Sequence, residues 1–113
     1  MKDDKFYLIQ IDEDITRLEK FTEDGRHAFM NAELIQRAVL RTLQTMGESV
    51  KRLSDNLKSN YPEVAWKGIV ALRNVLVHDY LEIDLDEVWD IVALDITVLK
   101  VQVQEMLADL GGV

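Results

Sequence analysis

The 113-residue chain predicts an all-α fold, an antiparallel four-helix bundle. Apolar residues recur at spacings of three and four along nearly its whole length, and no stretch of useful length alternates as a strand would. Asp24-Gly25, Asn60-Tyr61-Pro62 and Asp84 divide the chain into four such segments. A chain shorter than the ~150 residues typical of one domain leaves no room for a second, so residues 1–113 are expected to form one compact unit.

The first helix is expected over about residues 4–24, where Tyr7, Leu8, Ile11, Ile15, Leu18 and Phe21 form one stripe and Asp24-Gly25 is the stop. The second is expected over 32–58, starting at Asn31 as N-cap, with Met30 and Ile35 placed as a hydrophobic staple. It runs through Leu34, Ala38, Leu40, Met46, Val50 and Leu53. Pro62 suits the first turn of a third helix over about 63–79. Asp84-Leu85-Asp86-Glu87 resembles a capping box for a fourth. There Leu85, Val88, Val92, Ile96, Leu99 and Val103 begin a long straight seam that Gly111-Gly112 ends.

Composition narrows the function. With 48% apolar residues and a single Pro, the chain can bury a core. The absence of Cys removes disulfides, thiolate metal sites and cysteine nucleophiles, and points to a reducing, cytoplasmic setting. The start, Met1-Lys2-Asp3-Asp4-Lys5, lacks the apolar core of a signal peptide, and no apolar run exceeds four residues, so no membrane role is expected.

The net charge of −8 argues against coating nucleic acid with the whole surface. Its distribution is uneven: residues 1–36 carry −4, residues 37–73 carry +4 and residues 74–113 carry −8. Arg37, Arg41, Lys51, Arg52, Lys58, Lys67 and Arg73 could therefore offer a local anion patch. They could equally be a solvated face with i,i+4 pairs such as Glu48 to Arg52.

Residues 69–80, Ile-Val-Ala-Leu-Arg-Asn-Val-Leu-Val-His-Asp-Tyr, do not split into two clean faces. With Arg73 at zero on a helical wheel, Asn74 and His78 fall at about 100° and 140° with Lys67 and Ala71 beside them, a narrow stripe that needs a water-filled groove to matter. Most of the remaining circumference is apolar, and Arg73 and Tyr80, within ~20° of one another, project into it. A guanidinium there requires a partner. Glu48 is one candidate, next to Gly47, where another backbone could approach closely. A phosphate, gripped by the planar fork, is the other. His78 suits proton transfer near neutral pH, with Asn74 one turn away to orient its ring, and His27 reads as an exposed loop residue. No cluster of His and carboxylates has metal-ligand spacing, which disfavours a metal-dependent nuclease, and no cofactor is implied. RNA cleavage by its own 2′-hydroxyl fits that inventory, because the substrate brings the nucleophile.

The segment Arg73-Asn74-Val75-Leu76-Val77-His78-Asp79-Tyr80 resembles the Arg-x-x-x-x-His-x-Tyr motif of HEPN-domain toxins, specifically the HepT branch encoded beside a minimal nucleotidyltransferase antitoxin, MntA. Gln36-Arg37-Ala38-Val39 with Met46-Gly47-Glu48-Ser49, and Tyr61-Pro62-Glu63-Val64-Ala65-Trp66, are similar to that branch's other signatures, and the likeness spans about residues 4–108. Ser49 stands where an alanine-like residue is usual. The resemblance implies a homodimer with both motifs facing a shared cleft, and a metal-independent endoribonuclease acting on tRNA or mRNA as the toxin of a type VII toxin–antitoxin system. By position, Arg73 would hold the scissile phosphate and His78 move a proton, with Asn74 and Glu48 supporting. The antitoxin would transfer AMP from ATP to the Tyr80 hydroxyl, adding an anion that could occupy Arg73 and repel RNA.

A second reading makes the bundle a non-catalytic nucleotide- or partner-binding module for the nucleotidyltransferase, with Arg73 and Glu48 structural. The −8 charge favours it, whereas the basic middle third and the Arg-Asn…His-x-Tyr set favour the enzyme. On the enzyme reading RNA reaches only the cleft, and cleavage weakens with added salt.

Overall fold

The computed structural model describes residues 2–111. Among them every regular element is helical: α1 (Asp4–Phe21), α2 (Arg26–Asn31), α3 (Glu33–Arg52), α4 (Asp55–Asn60), α5 (Trp66–His78), a 3-10 turn (Tyr80–Glu82), α6 (Leu85–Asp90), a π turn (Ile91–Asp95) and α7 (Ile96–Asp109). No helix among the described residues is long and apolar enough to cross a membrane.

α1 forms where its stripe predicts. Asp3 caps it by accepting from the Phe6 N–H (2.9 Å), and Leu8, Ile11, Ile15 and Leu18 are buried against α3 and α7. It stops at Phe21, a turn before Asp24, and Gly25 takes the φ of 93° that starts α2. α3 supplies Val39, Leu43, Met46 and Val50 to the core, and α7 supplies Leu99, Val103 and Met106. Phe29 on α2 and Trp89 on α6 close one end, their ring centroids 5.6 Å apart.

Several expectations about element limits are corrected. Asn31 does not cap α3. It ends α2, its amide donating to the His27 carbonyl (2.8 Å), and Ala32 holds the cap position without a side-chain bond. The Gln36 amide instead donates to the carbonyls of Phe29 and Met30 at the end of α2, the first of which also accepts the Ala32 N–H. His27 is therefore helical, although exposed as expected, and Leu34 is 82% exposed rather than on the seam.

The second predicted helix breaks at Leu53, which turns extended (ψ 146°) to bury its side chain. Ser54 then caps α4, its Oγ accepting from the Leu57 N–H, while the Asp4 carboxylate accepts from both the N–H and the hydroxyl of Ser54. Pro62 lies in the turn before α5 rather than inside it. α5 begins at Trp66, whose indole N–H donates to the carbonyls of Lys58 and Tyr61.

Asp84 caps α6 as expected, accepting from the Asp86 N–H (2.9 Å). The seam beyond it is not straight, because the π turn inserts extra backbone at Ile91–Asp95 and rotates the faces on either side of it. The helix ends before Gly111, which adopts φ 100°. Gly112 lies outside the described residues.

Candidate active site

α5 is the least enclosed of the long helices. It packs on α3, and Leu76 is its one buried residue. Ile69, Val70 and Leu72 are half-buried, and Val75 and Val77 are exposed. The polar stripe and the apolar surface next to it are thus both open.

Arg73 sits where α5 crosses α3. A Cβ built on Gly47 would lie 2.5 Å from the Arg73 Cβ and 3.0 Å from its Cγ, so the helices meet this closely only because residue 47 has no side chain. The Arg73 side chain is 21% exposed. Its Nη1 donates to the Asn74 Oδ1 (3.0 Å), its Nη2 is 4.0 Å from the Glu48 Oε1, and its Nε is buried without a hydrogen-bond partner. Glu48 does not pair with Arg52. It accepts from the Gln44 amide (3.4 Å) and stands at the outer limit of an ion pair with Arg73. The guanidinium is thus positioned but incompletely satisfied, which a buried polar group tolerates only at a free-energy cost.

The hollow at Arg73, about 520 Å³, is lined by Glu48, Lys51, Arg52 and Arg73. On the other side of Asn74 a groove of about 760 Å³ runs along the polar stripe past Ala71 and Lys67 to Lys58. Lys67, Ala71 and Asn74 of the stripe therefore face an open groove, whereas His78 does not line it.

His78 is the last residue of α5, exposed, and free of any side-chain hydrogen bond among the described residues. No hydrogen bond joins Asn74 to its ring among the described residues, and the Asn74 amide oxygen accepts from Arg73 instead. Arg73 and His78 lie about 7.5 Å apart along the helix axis and about 140° apart around it, the one turned to α3 and the other to solvent.

Tyr80 departs from the wheel. α5 ends at His78, Asp79 leaves the helical region (φ −128°, ψ 39°), and Tyr80 opens the 3-10 turn. Its direction is therefore not that of Arg73. It shares a hollow with Glu33, Gln36 and Arg37 at the start of α3. The Arg37 guanidinium donates twice to Glu33 (3.0 and 2.8 Å), and this carboxylate, with Tyr80 nearby, holds its pKa above the usual arginine value. Because Arg73 meets α3 at Gly47 and Tyr80 meets it near Arg37, the two helices run in opposite directions. The neighbours Glu48 and Arg37 are about 16 Å apart along α3. Sequence reasoning missed the Arg37–Tyr80 proximity, for which no local signal exists.

The chain matches the model of a family described as "Ribonuclease HepT-like" over residues 11–106. It is 34% identical over 112 residues to a Methanocaldococcus jannaschii protein provisionally named an RNase, covering 98% of this chain and 93% of that one. A second provisionally named RNase of that organism is 35% identical over 104 residues, with 91% and 95% covered. A Thermococcus cleftensis protein named "Probable ribonuclease HepT" is 34% identical over 97 residues, with 85% and 88% covered. No solved structure matches the chain.

Proposed function

The chain belongs to the HepT-like ribonuclease family, and from that premise we propose that it is a metal-independent endoribonuclease, with Arg73 and His78 as its catalytic residues. The observation that carries this reading is the Arg73 guanidinium, held at the α3–α5 crossing with a buried, unpartnered Nε and only a 4.0 Å approach to Glu48. A phosphodiester at the adjoining hollow would accept from the Nη groups, which Asn74 and Glu48 engage only in part.

In the proposed reaction the 2′-hydroxyl loses its proton to a His78 imidazole and its oxygen attacks the adjacent phosphorus. The P–O5′ bond breaks, the O5′ takes a proton from a protonated His78 imidazole, and a 2′,3′-cyclic phosphate remains. Arg73 balances the charge that builds on the phosphoryl oxygens. Asn74 holds the guanidinium through Nη1 and Glu48 restrains Nη2, so both position Arg73 rather than react.

The same reading makes the chain a single HEPN-type domain over 1–113, an antiparallel four-helix bundle, and a homodimer. Arg73 and His78 diverge on α5, which favours a cleft shared by two copies over a site complete in one. Leu94, Val98 and Val101, exposed at 64%, 59% and 54%, offer a surface that a second copy would cover. The protein would act in the cytoplasm as the toxin of a toxin–antitoxin pair, on tRNA or mRNA. Its MntA-type nucleotidyltransferase partner would silence it by AMPylation, the Tyr80 oxygen attacking the α-phosphorus of ATP with loss of pyrophosphate. The resulting phosphodiester would lie in the hollow that holds Arg37.

Incubating the purified protein and its His78→Ala and Arg73→Ala variants with total bacterial RNA in chelator tests the core of this proposal. Fragments ending in cyclic phosphate, made by the wild type alone, are expected. Failure of the wild type to cut, with no AMP on Tyr80 by intact mass, would overturn it in favour of a non-catalytic partner-binding module.

A further inference from the structure

We propose that Lys51 and Arg52 complete, with Arg73, a two-phosphate pocket that holds the RNA backbone phosphate next to the one being cut. The inference rests on the ribonuclease reading and adds the determinant by which the site grips a chain rather than a single phosphodiester.

The hollow beside Arg73 is lined by three cations and one carboxylate. One carboxylate does not neutralise three cations, and Glu48 comes no nearer to Arg73 than 4.0 Å. Lys51 and Arg52 follow Glu48 by three and four residues on α3, so all three project on one side of it. Neither takes part in an ion pair or a side-chain hydrogen bond among the described residues. Their place in the last turn of α3 complements the helix dipole, and this alone would account for two basic residues there. It would not account for their facing a hollow in common with a guanidinium whose Nε is buried and unpartnered.

The rest of the chain repels polyanions, carrying −4 before residue 37 and −8 after residue 73. A polynucleotide therefore meets favourable potential on the segment 37–73, where this hollow gathers three of the seven cations in one place. The planar fork of Arg73 suits bidentate contact at the reacting phosphate, whereas the flexible ammonium of Lys51 suits a neighbouring phosphate as a point charge.

The test uses the full chain and its Lys51→Gln/Arg52→Gln double variant, binding a labelled 2′-O-methyl oligoribonucleotide that cannot be cut, over a range of salt. The double variant is expected to bind about tenfold more weakly, and the slope of log affinity against log salt to fall by about 1.4, two contacts at roughly 0.7 each on a single strand. A Lys5→Gln/Lys20→Gln variant on α1 makes the same change in net charge and should bind as the wild type does. Equal losses in both variants, or an unchanged slope, would overturn the pocket. Cleavage adds a second arm: the double variant should lose most on long RNA, through KM, and the penalty should shrink on a dinucleotide that has only the scissile phosphate. The same penalty on both substrates means that the two cations act through Arg73, which overturns the proposal. If the wild type cuts nothing the ribonuclease reading fails by itself, and the binding arm still decides the pocket.

Discussion

The Gly47 backbone lies against the root of the Arg73 side chain: a Cβ on residue 47 would stand 2.5 Å from the Arg73 Cβ, nearer than two non-bonded carbons come. The atom in the way is the root of the arginine side chain, not its flexible end. Relief therefore requires α5 to move.

Gly47→Ala tests this contact. The change gains up to about 1 kcal/mol of helix propensity but overpacks the crossing at a cost of about 1–3 kcal/mol. Overpacking is expected to win, giving a modest loss of stability in urea melts. Because the displaced group is the one proposed to hold the phosphate, RNA cleavage should fall much further, on the order of 10²-fold.

Asp14 gives a pH dependence with a definite sign. Burial raises its carboxyl above the ordinary 3.8, outweighing the bonds from the Thr45 hydroxyl and Arg17. The folded state thus holds this proton more tightly than the unfolded state does. The contribution is fully present below pH 3.8 and is lost as pH rises through the elevated folded value. Asp14→Asn should remove this loss, so the difference in unfolding free energy between wild type and variant, measured at a series of pH values, should shift in favour of the variant as pH rises through that window.

Leu94 and Val98 test the proposed dimer. Both are exposed, so Leu94→Glu/Val98→Glu should leave the protomer folded, with helical circular dichroism retained, while sedimentation reports a monomer. On the shared-cleft reading cleavage disappears with the dimer. Full activity in a proven monomer would count against that cleft.

Tyr80 and Arg37 test the proposed silencing step. Coexpression with the nucleotidyltransferase should add AMP to the wild type, seen by intact mass, and none to Tyr80→Phe. Arg37→Gln leaves the hydroxyl free to react but removes the cation that shares its hollow. The modified variant is expected to retain more RNA cleavage than the modified wild type.

Much of this protein was legible one segment at a time. The stripe of Leu8, Ile11, Ile15 and Leu18 and the Asp84 cap follow from local spacing and residue type, and Gly47 and Glu48 were legible as a place of close approach and one candidate partner for Arg73. These features depend on the 3.6-residue period and on what one side chain permits, which neighbouring residues encode. What the tertiary structure alone decided lies where distant segments meet. α3 stops at Leu53 because Ser54 is held by Asp4, fifty residues earlier in the chain. Tyr80 faces Arg37 because α5 ends two residues too soon to carry the wheel forward and lies against α3 in the opposite direction. Lys51 and Arg52 share a hollow with Arg73 for the same reason: the sequence determined which groups the chain carries, and only the crossing of two helices determined which of them meet.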